Sequence, residues 1–534
     1  MNCNERTLQT SLDALLKLLT SYQVSNLFNH HPNTLGAASD DFHVPNEWRS
    51  WWNWASDGMD KWTTLVKLNE YLTMSKENSS RLSSEHNSAL DIPSDLVELI
   101  RHIDEVTLPR SLDPLPLFPS SQLRTCNTGM SPKKAHEVER FSSYIAQILS
   151  TLSSAHGINV RHVVDIGAGQ GYLSRAIYEL PDNPEISCPP LHVLALDSSP
   201  LQTSGAQRRQ KHSDNRQSEG PAAGNGLANS VGACYHTNGK LKDREGGLVK
   251  YTRSLNHRTV QIGAEMSPSL ENVIDDWLNE LEEHASASFE DSPDHASTNR
   301  TPIHSLPHYL AQVHQDSLKD GPKWYMAAAV VVGCCYNLME PGDFPLSPAA
   351  RKSIASIYPT FELTSSHLQL AAQVPAQWFR TPATKISTSL ALRKVVYRSL
   401  LEGYIARQSY EGKRLGKLNN NTYESFDTFL KAAEGKIGAF PMDQTGRITD
   451  NSEVARRLEV LHTLRCLLGP AVESLIILDR LLWLKEELGL DNEDTLTTQE
   501  YQQTSLDVRI INLFDQSKDS GRNVGIVLAP GNIL

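Results

Sequence analysis

The sequence predicts an α/β protein. An open, largely parallel sheet follows a helical N-terminal region, and a helical insertion interrupts it before its last two strands. Three observations carry this reading. VVDIGAGQGYLSRAIYEL, Val163 to Leu180, reads as strand, glycine turn and helix. LHVLALD, ending at Asp197, and AAAVVVGCCYN, from Ala327, are continuous apolar runs of strand length, as expected of strands covered on both faces. The long stretches on either side carry apolar residues at helical spacing.

Bulk properties narrow the possibilities. A chain of 534 residues exceeds one compact core, so roughly two or three packed units are expected. A hydrophobic content of 39% fits a soluble globular protein. A net charge of −12 excludes a chain that is basic throughout and coats nucleic acid, though not a local basic groove. The seven cysteines form no C-x-x-C pair, which argues against structural zinc and predicts no metal site. So sparse a set fits reduced thiols in an intracellular compartment, cytoplasm or nucleus. The first residues lack a secretory pattern, and the longest apolar runs fall short of the about 20 residues that cross a bilayer, so no membrane partner is expected.

Residues 1–125 read as a helical region. LDALLKLLTSY is amphipathic, and NEWRSWWNWASDGMDKW holds five of the nine tryptophans. Nothing basic surrounds them, which favours a helix docked on a core over a base-stacking platform. Residues 126–350 form the central unit. In MSPKKAHEVERFSSYIAQILSTLSSAHG, Ser131 caps, Pro132 takes the first helical position, and Val138, Phe141, Ile145, Ile148 and Leu152 make one buried stripe ending at Gly157. The stretch 203–250 reads as a disordered insertion, followed by a short strand at RTVQI and a helix at LENVIDDWLNELEEH. Residues 265–325 otherwise diverge from any strand pattern. Residues 351–504 are helical, with VESLIILDRLLWLKEELG apolar on most of its circumference. In 505–534, VRIINLF and NVGIVLA read as two strands joined by a polar turn.

The glycine turn decides the ligand class. Such a unit holds a dinucleotide, S-adenosylmethionine, or nothing. Asp165 stands two residues before Gly167, and glycines recur at Gly169 and Gly171. A dinucleotide fingerprint wants a small residue next, but Tyr172 is there. The spacing D-x-G-x-G-x-G suits a wider loop under the methionyl and ribose parts of S-adenosylmethionine, with backbone approaching the ligand. Asp165 is placed to orient the loop and accept from the ligand ammonium. Asp197, at the next strand end, is placed to accept both ribose hydroxyls; it lies 32 residues after Asp165, further than the about 20 of dinucleotide folds. Lys133, Lys134 and His136 crowd a helix N-terminus, where an isolated helix disfavours cations, which hints at an anionic partner, the cofactor's methionine carboxylate or a substrate phosphate; the competing reading makes the lysines merely solvated. Cys334, Cys335, Tyr336 and Asn337 end the third strand, where ligands of such sheets lie. An aromatic beside an amide there positions an amine or a flipped base. The competing reading makes the cysteines and Tyr336 packing residues.

In order along the chain, GMSPKKAHEVERF, VVDIGAGQGYLSRAI, VVVGCCYN with GDFPLS, VESLIILDRLLWLKE, INLFD and SGRNVGIVLA resemble the methyltransferase-like protein 25 family, which includes the rRNA adenine dimethylase domain-containing protein. The resemblance implies a Rossmann-like, seven-stranded class I methyltransferase sheet whose last two strands close it as an antiparallel edge. It implies S-adenosylmethionine as cofactor and favours RNA as substrate, with protein as the other class. One departure stands out: a Gly-Leu-His-x-Cys-Gly-Asp-like stretch expected on the strand before GCCYN is missing from residues 290–325. A gap in the sheet follows from that, and with it a second expectation, an inactive scaffold that keeps the fold.

Overall fold

The computed structural model describes residues 5–35, 42–58, 60–77, 91–115, 129–180, 191–218, 240–242, 248–250, 253–260, 267–286, 325–407, 415–438, 452–490, 506–516 and 520–531. The N-terminal region is helical: α1 (Glu5–Thr20), α2 (Tyr22–Asn29), α3 (Arg49–Ser56), α4 (Lys61–Glu77) and α5 (Ser94–Val106). The central unit contains α6 (Pro132–His156), β1 (His162–Ile166), α7 (Tyr172–Tyr178), β2 (His192–Asp197), α8 (Pro200–Ser218), β3 (Lys240–Lys242), β4 (Leu248–Lys250), β5 (Ser254–Thr259), α9 (Ser267–Ser286) and β6 (Ala329–Val332). Then follow α10 (Pro348–Ile357), α11 (Ser365–Ala371), α12 (Pro382–Arg407), α13 (Phe426–Ile437), α14 (Ser452–Leu467) and α15 (Gly469–Glu487), and finally β7 (Leu506–Asn512) and β8 (Val524–Pro530).

The strands fall into two three-stranded sheets and one short ribbon. β1 and β2 are parallel in register Val163↔Val193, and β2 and β5 are parallel with Leu194↔Asn256. In the other sheet β8 lies between β6 and β7 and runs antiparallel to both, with Val331↔Ile526 and Ile510↔Ile526. β3 and β4 make the ribbon. Among the described residues no strand pairs with the outer edge of β1 or of β6. Among the described residues the last two strands thus pair with GCCYN's strand, which lies at one edge of their sheet.

One helix backs both sheets. Ser131 caps α6 by accepting the Lys134 amide, and Gly157 ends it in the left-handed region at φ 67°. Along α6, Ala146 and Leu149 pack with Val193, Ala195 and Ile177 of the first sheet and α7. Tyr144, Ile148 and Leu152 pack with Ile511, Val527 and Ala529 of the second. The buried Arg140 donates to the carbonyls of Leu513 (2.7 Å) and Asp113 (3.2 Å). That tie fixes the helix to the chain just beyond β7.

The helices on either side of the central unit share one apolar core. Leu12 and Leu16 of α1, Trp48, Trp51 and Trp52, and Leu475, Leu478 and Leu482 of α15 belong to it, so the tryptophans are packing residues. Arg465 donates to the carbonyls of Leu27, Phe28 and His30 at 2.6–2.8 Å, and Arg110 pairs with Glu473 at 2.7 Å. These pairs tie the N-terminal helices to α14 and α15.

Two expectations are corrected. Residues 200–218 form a helix where composition predicts the start of a disordered insertion. Its inner face is small, with Thr203 and Ala206 buried, and Gln207 and Gln210 donate to the carbonyls of His257 and Leu255. Polar docking of this kind leaves no apolar stripe to read. The third strand of the first sheet is SLNHRT, not RTVQI, which continues past its end. The rest of the predicted insertion beyond 218, apart from 240–242, 248–250 and the strand end, and the divergent residues 287–324 lie outside the described residues.

Arg140→Met removes a buried cation and leaves two carbonyls without their donor. It should cost about 1–3 kcal/mol. A lower urea midpoint would register this, and an unchanged midpoint would show that the tie contributes nothing.

Candidate active site

The gap between the sheets is a cavity of about 1260 Å³. β1 and β6 line two of its sides, Ile145, Ile148 and Leu149 of α6 line one face, and Trp277 of α9 and Ile477 of α15 also reach it. The carboxyl ends of β1, β2 and β6 meet at one end. There the charge of Lys134 bears on both Asp165 and Cys334, so the two strand ends are neighbours.

The glycine loop takes a tight path because three residues are left-handed: Gly167, Gly169 and Gly171 have φ of 79°, 56° and 68°. The loop hangs on the end of β2. The amides of Gly167 and Ala168 both donate to the Leu196 carbonyl at 2.9 Å. Asp197 Oδ2 accepts the Gly169 amide at 2.8 Å, and its Oδ1 accepts the Ser199 amide at 2.8 Å. Asp197 is thus a loop anchor first. Each carboxylate oxygen keeps a further lone pair for a ligand hydroxyl.

Space above the loop is open. A methyl group on Gly167 or Gly169 would meet nothing within 4 Å, whereas one on Gly171 would strike the His257 ring at 2.6 Å. Gly171 is the packing glycine of the three, buried where the helix meets β5. Asp165 points to the helix side of the cavity and accepts Ser174 Oγ at 2.5 Å. Burial pushes its carboxyl above the ordinary range, with Ser174 and the Lys134 charge pulling the other way.

The structure sorts the remaining predicted residues. Lys134 lines the cavity and pairs with Glu137 at 3.4 Å. Lys133 and His136 are exposed and do not line it, because they lie on the outer side of the first turn of α6. Cys335 lines the cavity and is half-buried, and Cys334 beside it is exposed, so neither is a core residue. Tyr336 lines the cavity too, but it is buried, and its phenol bonds to Glu473. Burial and the Glu473 carboxylate push the phenol pKa well up. Asn337 faces solvent and does not line the cavity.

Residues beyond the predicted site complete the mouth. Arg522 donates to the Cys334 carbonyl at 3.1 Å and lies over the Tyr336 ring at 5.5 Å. Gln170 of the loop pairs with Gln202 and Arg209 of α8, and Arg209 also sits 5.2 Å over the Tyr172 ring. No local pattern marks Arg522, since it arrives from nearly two hundred residues away. Gln170 was the exception, lying inside the glycine motif itself.

Residues 133–342 match a family model described as a methyltransferase domain, and the match supports a methyltransferase. No solved structure matches the chain. Among the described residues no helix is long and apolar enough to cross a membrane.

Gly157→Ala, with nothing around the new methyl, should cost only the left-handed backbone, about 1–2 kcal/mol. Gly171→Ala should cost more, and His257→Ala should narrow the difference between them. Equal costs in the two single variants would mean that the His257 contact carries no weight. His257 also sets a pH dependence. Burial, then the Arg175 charge, lowers its pKa to about 4 from an ordinary 6.5. The fold holds it neutral while the unfolded chain protonates, so its contribution is complete above pH 6.5 and is lost as pH falls towards 4. His257→Gln should flatten the melting temperature between pH 6.5 and 4 relative to wild type.

Proposed function

We propose that this chain is an S-adenosylmethionine-dependent methyltransferase of the methyltransferase-like protein 25 type, built on a Rossmann-like class I core. The observation that carries the reading is the Asp197 carboxylate bound to the Gly169 amide. It sets a ribose-binding acid and an open glycine loop against one cavity. The match of residues 133–342 to a methyltransferase domain supports it.

The residues fit the cofactor. Open space over Gly167 and Gly169 admits a ligand against bare backbone. In this reading Asp197 receives the ribose hydroxyls on its spare lone pairs while its other bonds keep the loop still. Asp165 accepts from the methionyl ammonium, and Lys134 faces the methionyl carboxylate. The bound cofactor supplies an electrophilic methyl on a sulfonium. Cys335 and Tyr336 form the wall opposite the loop. Tyr336 acts there by position: its phenol is protonated at neutral pH, and its one proton is committed to Glu473. Lys133, His136 and Asn337 take no part in this arrangement.

RNA is the substrate class we favour, on the resemblance, with protein as the other. A flipped base or a side-chain amine entering beside Cys335 would meet a largely apolar wall with Lys134 and Arg522 at its rim. An inactive scaffold is the second reading. It draws on the edges of β1 and β6 that no described strand covers.

S-adenosylhomocysteine at a hundred times its Kd should stabilise the protein by about 2.7 kcal/mol, read as a rise in melting temperature. Gly169→Arg should abolish the rise. Asp197→Ala should weaken binding by about ten- to a hundredfold, as loss of about 1.5–3 kcal/mol implies. No rise in wild type removes the cofactor from the proposal. A rise with no methyl transfer to any RNA or protein fraction favours the scaffold.

A further inference from the structure

We propose that Cys334 and Cys335 are a dithiol redox site at the mouth of the cavity, closed to a vicinal disulfide by a hydroperoxide and reopened by a thiol reductant. The proposal stands on the geometry of the pair and needs no cofactor. The two sulfurs lie 3.2 Å apart on adjacent residues. They need to close by roughly 1.1 Å to reach a disulfide bond length of about 2.05 Å. Cys334 is exposed and Cys335 half-buried, so an oxidant in solution reaches the first and the second stands ready behind it.

The backbone permits closure. β6 ends at Val332, which is the last residue in register with β8, opposite Gly525. Cys334 and Cys335 therefore sit beyond the ladder, and twisting the peptide between them breaks no strand hydrogen bond. Cys335 has φ −115° and ψ 45°, outside both helix and strand.

The chemistry balances. One thiolate attacks a peroxide oxygen, breaks the O–O bond and becomes a sulfenic acid, releasing an alcohol or water. The neighbouring sulfur then attacks the sulfenic sulfur, forms the S–S bond and expels water. Two thiols are oxidised by two electrons, the hydroperoxide is reduced by two, and both thiol protons leave in the products. Burial and Cys335 hold the Cys334 thiol up at about 11, against the pull of Arg522 and Lys134. The resting Cys334 thiol is thus protonated and reacts under an oxidant pulse rather than continuously. Adjacent Cα atoms are closer than in ordinary disulfides, and a bridge strained in this way is easily reduced.

Closure has a local consequence. The carbonyl of the Cys334–Cys335 peptide is the one that accepts Arg522 Nε at 3.1 Å. Arg522 also donates to the Ala372 carbonyl at 3.1 Å and covers Tyr336. Twisting that peptide into an eight-membered ring turns the carbonyl away and frees one side of Arg522, at the edge of the cavity.

Peptide mass spectrometry tests this on the full chain. Of the seven cysteines only Cys334 and Cys335 fall in the tryptic peptide 324–351. After a hydrogen peroxide pulse and alkylation, that peptide should be about two mass units lighter than the reduced, unalkylated form, and dithiothreitol should restore two alkylatable thiols. Cys334→Ser and Cys335→Ser should each abolish the loss. Both thiols still alkylating after the pulse, or separate sulfinic and sulfonic products without a bridge, would overturn the proposal.

Discussion

Everything at the site depends on α6 holding two sheets at a fixed separation. Its neighbouring faces serve different masters: Ala146 and Leu149 seat β2 and α7, and Tyr144, Ile148 and Leu152 seat β7 and β8. No strand hydrogen bond joins the sheets among the described residues, so apolar packing on this helix, with the Arg140 tie, sets the width of the cavity. Close packing tolerates little change in volume. Substitutions on α6 far from the glycine loop therefore act on the distance between that loop and Cys335.

The wall opposite the loop belongs to a different part of the chain. Tyr336 joins the core shared by the N-terminal helices and α15, and its phenol meets Glu473, which is itself paired with Arg110. Residues from three distant parts of the chain thereby meet at one aromatic ring. A buried ion pair of this kind is weak evidence for stability, but breaking it by removing one partner is costly because the other charge stays buried. Its role here is positional: it stops Tyr336 from leaving the cavity wall.

Much of this was legible in the residues. Left-handed glycines, the acid two residues ahead of them and the acid ending the next strand are local features with local causes, and the loop is built from them. Ser131 and Gly157 likewise mark their helix ends directly. What was not legible depends on rotation and distance. Lys133, Lys134 and His136 share one helical turn, and only the turn's azimuth against β1 brings Lys134 inward. Asn337 follows Tyr336 in the chain, yet the short helical turn after β6 sends one into the core and the other to solvent. α8 escaped notice because glutamines rather than leucines dock it. Arg522 escaped because its partners, Cys334 and Ala372, are far off in sequence.

Among the described residues the edges of β1 and β6 carry no partner strand, which bears on how this chain behaves in a crowded solution. An uncovered strand edge in solvent is a template for another chain and a route to aggregation. Here both edges turn towards each other across the cavity, with α6 along one face and residues of α9 and α15 reaching the same space. The walls that enclose this cavity thus also shelter two lines of strand backbone that would otherwise face solvent.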